Sequence, residues 1–179
     1  MIENILKYNE EFVNSKGYKP YVTDKYPSKK IAIVTCMDTR LVELLPAALG
    51  IKNGDVKMIK NAGGVINDPF DSVVRSLLVA IYELGVNEIM IIGHTECGVQ
   101  GMNFKEMKHL MLERGISEET ISLVERCGID LHKWFAGFDD GIKSVENSVK
   151  LVKNHPFIPK DIHVAGYMMD SMTGKLTRI

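Results

Sequence analysis

The run EIMIIGHTECG, residues 88–98, carries two signals at once. Ile89-Met90-Ile91-Ile92 is a short apolar stretch of the kind that fills a strand covered on both faces, as the strands of a parallel sheet are. Gly93 ends it, and His94 and Cys97 follow three residues apart with Gly98 behind them. A pair of soft-metal ligands at the carboxyl end of a buried strand sits where open α/β sheets place their sites. A second apolar run, IAIVTC over Ile31 to Cys36, also ends on a cysteine. A strand-terminal cysteine is by itself usually a small buried hydrophobe. The His-x-x-Cys at the equivalent end of another strand moves the balance to metal. Cys36, His94 and Cys97 make a Cys2His set, which for zinc leaves the fourth position open, as catalytic sites require.

Further strands and helices flank these two runs. Residues 2 to 16 place Ile2, Ile5, Leu6, Phe12 and Val13 on a helical stripe with Gly17 as its stop, and 18 to 30 read as an irregular connection. Leu41 to Leu49 looks helical, with Pro46 expected to kink or shorten it. Asp55 to Ile59 reads as a strand and KNAGGVINDP as a loop. From Asp71 to Gly85 the apolar positions Val73, Val74, Leu77, Leu78, Ile81 and Leu84 predict a helix. With Val79 and Ala80 widening the face, this helix is expected to be buried nearly all round, at a dimer interface. Helices are expected over Phe104 to Arg114, Glu118 to Cys127 and Gly141 to Asn154, with a structured connection, GIDLHKWFAGFDD, between the last two. Ile162 to Tyr167 and Leu176 to Ile179 close the chain as strands around a Thr173-Gly174-Lys175 turn. The alternation predicts an α/β fold: a mostly parallel central sheet of four strands plus a short edge strand, with helices on both faces.

Composition narrows the function. The chain has 179 residues, 45% apolar and 25% charged, with net charge -1, which points to neither a nucleic acid nor an acidic membrane surface as partner. No apolar run approaches the ~20 residues that span a bilayer. MIENILKYNEEF lacks the basic-then-apolar layout of a signal peptide, so a cytoplasmic location is expected. Three cysteines form a poor disulfide framework but suit two metal ligands and a bystander, Cys127, expected to be buried in a helical stretch. There is no Cys-x-x-Cys to suggest redox chemistry. The pair Gly63-Gly64 without GxxG or GK[ST] is weak as a phosphate cradle, and a tight backbone approach explains it better. His109, His132, His155 and His163 fall outside any ligand spacing and read as surface or packing residues.

Asp38 and Arg40 complete the candidate set. If the chain leaves its strand extended, residues 36, 38 and 40 project to one side. A carboxylate there can accept a hydrogen bond from a metal-held water or ligate the metal itself, and the guanidinium would keep it ionised and aimed. Alternatively, Asp38 caps the helix beginning near Arg40, and Arg40 lies on the surface.

Cys36-x-Asp38-x-Arg40, followed by His94-x-x-Cys97-Gly98, resembles the signature of β-class carbonic anhydrases. KNAGG, DSVVRSLLVAIYELG and HVAGYMMDSMTGKL are similar to that family too, so the resemblance runs from about Ile31 to the C-terminus, weakest between Gly101 and Asn154. Lys60 stands where many members have Arg, which places the chain nearer the short microbial and archaeal-type branch. The resemblance implies one domain over 1–179, with 1–30 as an N-terminal helix and arm packing on a homodimer partner. It implies one Zn²⁺ per chain on Cys36, His94 and Cys97, with Asp38 and Arg40 orienting or gating the water on the metal. It also implies reversible hydration of CO2 to bicarbonate and a proton by metal-bound hydroxide. Hydrolysis of CS2 or COS on the same fold is an alternative within this class, and a non-catalytic zinc-binding protein is one from another class.

Overall fold

The computed structural model describes residues 1–179. Its first helix, α1 (Ile2–Asn14), buries no residue, and Ile2, Ile5 and Leu6 stand 73%, 64% and 53% exposed. An irregular arm with a short 3-10 turn at Lys19–Tyr21 leads into β1 (Ile31–Cys36). The chain continues through α2 (Leu41–Ala48), β2 (Val56–Asn61), α3 (Ser72–Tyr82) and β3 (Glu88–His94). The helices α4 (Phe104–Glu113), α5 (Glu118–Arg126), α6 (Leu131–Trp134) and α7 (Gly141–Asn154) precede β4 (His163–Met169) and β5 (Leu176–Arg178).

The sheet has the order β2-β1-β3-β4-β5. β1 pairs in parallel with β2 on one side and β3 on the other, β3 with β4, and only β5 runs antiparallel. The expected fold class therefore holds, four parallel strands with a short edge strand. Alternation along the strands separates two cores. Ala32, Val34, Ile89, Ile91 and Val164 pack with α3 and α7, while Ile33, Ile92 and Met169 pack with Leu41 and Leu45 of α2, so helices cover both faces. Complete burial of side chains such as Ile33, Ile91 and Ile92 is worth about 1.5–3 kcal/mol each. Apolar runs without polar alternation are what strands covered on both sides need.

Several expectations change in detail. α3 is not buried nearly all round: Val73, Val74, Leu77, Ala80 and Ile81 face the core, but Val79 and Tyr82 are exposed. A helix lying on one face of a sheet can bury one side only, and apolar residues on its outer side await another surface. Pro46 lies inside α2, which stays eight residues long, as a residue without an N–H donor there would have it. The connection GIDLHKWFAGFDD contains the short α6. β2 and β4 each run two residues further at their carboxyl ends than expected, because ladder pairing with β1 and β3 continues there: Cys36 pairs with Asn61, and His94 with Met169.

Candidate metal centre and active site

The topology explains where the site lies. From β1 the chain moves to β2 on one side, then crosses to β3 on the other, so the order reverses between β1 and β3. Ligands of open α/β sheets bind outside the carboxyl ends at such a switch point. Cys36 ends β1 and His94 ends β3, so the two neighbouring strands deliver both side chains to one spot. The turn after β3 returns Cys97, with Glu96 at φ 54 to make the bend. Cys36, His94 and Cys97 are all buried, and their ligand atoms lie within 4.8 Å of one another. The two sulfurs are 3.8 Å apart.

Gly64 allows this close approach. It has φ +66, and a Cβ there would sit 2.7 Å from the backbone nitrogen of Cys36. The glycine pair thus serves a tight backbone approach. Met37 N–H donates to Asn61 O at 2.8 Å, which ties the strand exit to the same loop.

His94 Nδ1 lies 2.9 Å from Thr95 O. A carbonyl only accepts, so Nδ1 carries the proton and donates it. The lone pair of the neutral ring is then on Nε2, which is buried and has no hydrogen-bond partner. A backbone carbonyl that sets the tautomer in this way is the usual support of a metal-ligating histidine. Charges favour a cation at the same point. Burial raises the Cys36 thiol, but the His94 ring and the backbone of Asp38 and Gly63 outweigh it and bring the thiol down to about 7. Burial pushes Cys97 up, and Cys36 beside it adds to the rise, because two neighbouring thiolates repel. His94 is raised by its contact with Cys36 against the effect of burial. A divalent ion would relieve the repulsion and displace these protons. Buried sulfur, sulfur and an unpartnered imidazole nitrogen fit zinc well.

The chain does not leave β1 extended. It turns into a helical conformation at Arg40, whose backbone N–H donates to Asp38 Oδ1 at 2.9 Å. That turn brings the two side chains together: Arg40 Nε donates to Oδ1 at 3.0 Å and Nη2 to Oδ2 at 2.9 Å. Asp38 does not cap α2, whose N-cap is Arg40 without a side-chain cap; its bond to the Arg40 N–H closes a local turn just ahead of the helix, and the ion pair forms beside it. This forked pairing is the main cause that holds the Asp38 carboxyl down to about 2. Oδ2 stands 3.8 Å from His94 Nε2. Cys36, Asp38, Arg40, Ala62 and Val99 line an open cleft of ≈ 530 Å³.

Three contacts were invisible in the sequence. Arg40 Nη2 also donates to Glu96 O at 2.9 Å, and Nη1 reaches Glu96 Oε2 at 3.4 Å and Ser171 Oγ at 3.3 Å. No motif marks Glu96 or Ser171; only the spacing of Glu96 within His-x-x-Cys put it near. Cys127 stands apart from the ligand group, but it is exposed rather than buried as expected, because it follows the last turn of α5 on that helix's outer end. His155 is buried in packing, while His109 and His163 are at the surface.

A family model described as carbonic anhydrase matches residues 31–176. This chain is an enzyme of the β-carbonic anhydrase family. YvdA of Bacillus subtilis, described as a candidate carbonic anhydrase, is 50% identical over 98% of this chain and 89% of its own length. The crystal structure of a β-carbonic anhydrase from Trichomonas vaginalis superposes with a TM-score of 0.88 at 39% identity, covering 100% of this chain and 97% of that one. A carbon disulfide hydrolase from Acidithiobacillus thiooxidans is also similar, 31% identical over 84% of this chain and 72% of its own. No helix of this enzyme is long and apolar enough to cross a membrane.

Proposed function

We propose that this enzyme hydrates CO2 reversibly to bicarbonate and a proton, with zinc on Cys36, His94 and Cys97. The observation that carries this is His94 Nε2, buried and unpartnered between two thiols, beside a carboxylate paired to arginine. Zinc held there would acidify a water at its fourth position and so supply a nucleophile near neutral pH. Arg40 holds the Asp38 carboxyl down to about 2, so at neutral pH it is ionised, acts as an acceptor and orients what occupies that position. Arg40 takes both carboxylate oxygens and thereby keeps Asp38 out of the ligand set. The apolar walls at Ala62 and Val99 suit a small nonpolar substrate. Residues 1–179 act as one domain in the cytoplasm, where thiols stay reduced, with 1–30 reaching across to the second copy of a homodimer. The exposed apolar face of α1 supports that arm.

Stopped-flow CO2 hydration on zinc-quantified protein tests this. Activity should scale with zinc up to one per chain, vanish on chelation and return on reloading. The similarity to a carbon disulfide hydrolase favours a second reading, in which CS2 or COS enters the same cleft. A zinc-loaded protein inert toward CO2 but active on CS2 would establish that reading; inertness toward all three would leave a non-catalytic zinc protein.

A further inference from the structure

Arg40 has five N–H donors, and the partners of each can be followed. Three serve Asp38 Oδ1, Asp38 Oδ2 and the Glu96 carbonyl. The two on Nη1 point at Glu96 Oε2 and Ser171 Oγ. The Glu96 side chain is 75% exposed and its contact long, so water competes for it freely. Ser171 differs: it is 3% exposed and comes from the turn that follows β4, a third chain segment. Its hydroxyl does not rotate freely. Ser171 Oγ lies 3.1 Å from Thr95 Oγ1, and the Ser171 backbone N–H donates to that same Thr95 oxygen at 3.0 Å. Thr95 in turn offers its carbonyl to His94 Nδ1, and its N–H donates to Met169 O at 3.0 Å. A buried hydroxyl locked in this way is a fixed acceptor at the rear edge of the guanidinium.

We propose that Ser171 is a positioning residue that holds Arg40 so that Asp38 stays turned away from the metal's fourth position. The proposal rests on the zinc reading above. Without the Ser171 hydroxyl, Nη1 loses its only buried acceptor, and the guanidinium is free to rotate toward Glu96 and solvent. Its fork on Asp38 then loosens. The carboxylate already stands 3.8 Å from His94 Nε2, so a small rotation brings it into the ligand set, where it competes with solvent. Raising the pH favours hydroxide in that competition. The defect should therefore be large at neutral pH and fade at alkaline pH, whereas loss of a merely structural bond would lower activity equally at all pH values.

The test compares holoenzymes of wild type, Ser171→Ala, Ser171→Thr and Met172→Ala, the last a neighbouring 76% exposed control. CO2 hydration is followed from about pH 6.5 to about 9, a window that starts near the ~7 of a zinc-held water and runs well above it, and the visible spectrum of each cobalt(II)-substituted form is recorded over the same range. Ser171→Ala should lose roughly tenfold in activity at neutral pH, the scale of supporting-residue losses at metal sites, and recover at alkaline pH. Its cobalt spectrum should differ from wild type at neutral pH and converge with it at alkaline pH. Ser171→Thr should restore both, and Met172→Ala should match wild type. Superimposable cobalt spectra, or a loss uniform in pH, would overturn the proposal. If Ser171→Ala holds metal poorly, the hydroxyl-retaining Ser171→Thr decides: a neutral-pH spectrum that departs from wild type would also overturn it. The cobalt spectra report on Asp38 even if wild type proves inert toward CO2, so failure here is distinguishable from failure of the proposed activity.

Discussion

Gly64 shows how narrowly the metal centre is built. Its φ of +66 costs an L-residue about 1–2 kcal/mol, and an added Cβ would press on the Cys36 nitrogen. Gly64→Ala should therefore lower unfolding free energy by at least about 1–2 kcal/mol in urea titrations and weaken zinc retention against a chelator, since Cys36 must shift. His94→Ala removes the one nitrogen of the proposed zinc set and should lower bound zinc well below one per chain, read by atomic absorption. Asp38 titrates at about 2 because Arg40 holds its charged form. A depressed carboxyl contributes stability that is present above its ordinary pKa and lost as pH falls toward the folded value. Arg40→Gln removes that hold; carboxyl-carbon NMR should show Asp38 titrating nearer the ordinary 3.8. Their i, i+2 spacing made these two residues legible as a pair, with an extended exit and a helix start near Arg40 both open. Only the helical conformation at Arg40 folds one side chain back on the other.

Among the elements, the β4–β5 hairpin is tied off by Asp170. Its carboxylate accepts from Thr173 N at 2.8 Å and Met172 N at 2.9 Å, and these backbone bonds lower its pKa. Asp170→Asn should thus be less stable than wild type at neutral pH, with the gap narrowing as pH falls below the ordinary carboxyl value, where the unfolded chain takes up the proton before the folded one does. Thermal unfolding at pH 7 and pH 3 checks this, and a gap unchanged between them would refute it. Gly174, φ +73, lets this hairpin lie against α2, where a Cβ would meet Ala48 Cβ at 2.8 Å. Thr173-Gly174-Lys175 was readable as a turn from residue type; its contact with a helix some 120 residues earlier was not. The outer face of α3, with Val79 and Tyr82 exposed in the single chain, poses a similar question. Apolar content says that a surface will be covered but not whether the same chain covers it.

For the molecule as a whole, α1 is the part that this chain alone does not account for. An amphipathic helix of 13 residues with no buried side chain is marginal in water, so a second copy is the expected cover. The protein should sediment at about twice the 20.1 kDa of one chain. Ile5→Asp combined with Leu6→Asp should shift it toward one chain, with zinc content retained, since both residues lie far from the ligands in the chain.

Residue types and local periodicity were enough to determine the strands and the four-plus-one α/β sheet, and to single out Cys36, His94 and Cys97 as the candidate ligands that the structure brings together. Unbroken apolar runs, stop signals and soft-ligand spacing are properties of contiguous sequence. What needed the tertiary structure was the strand order that makes β1 and β3 neighbours and reverses direction between them. It also needed to show the orphaned Nε2 of His94, the Gly64 approach and the reach of Arg40 to Ser171, 131 positions away. Register and turn geometry decide such meetings, and a hydrogen bond between distant residues leaves no mark in the spacing of either.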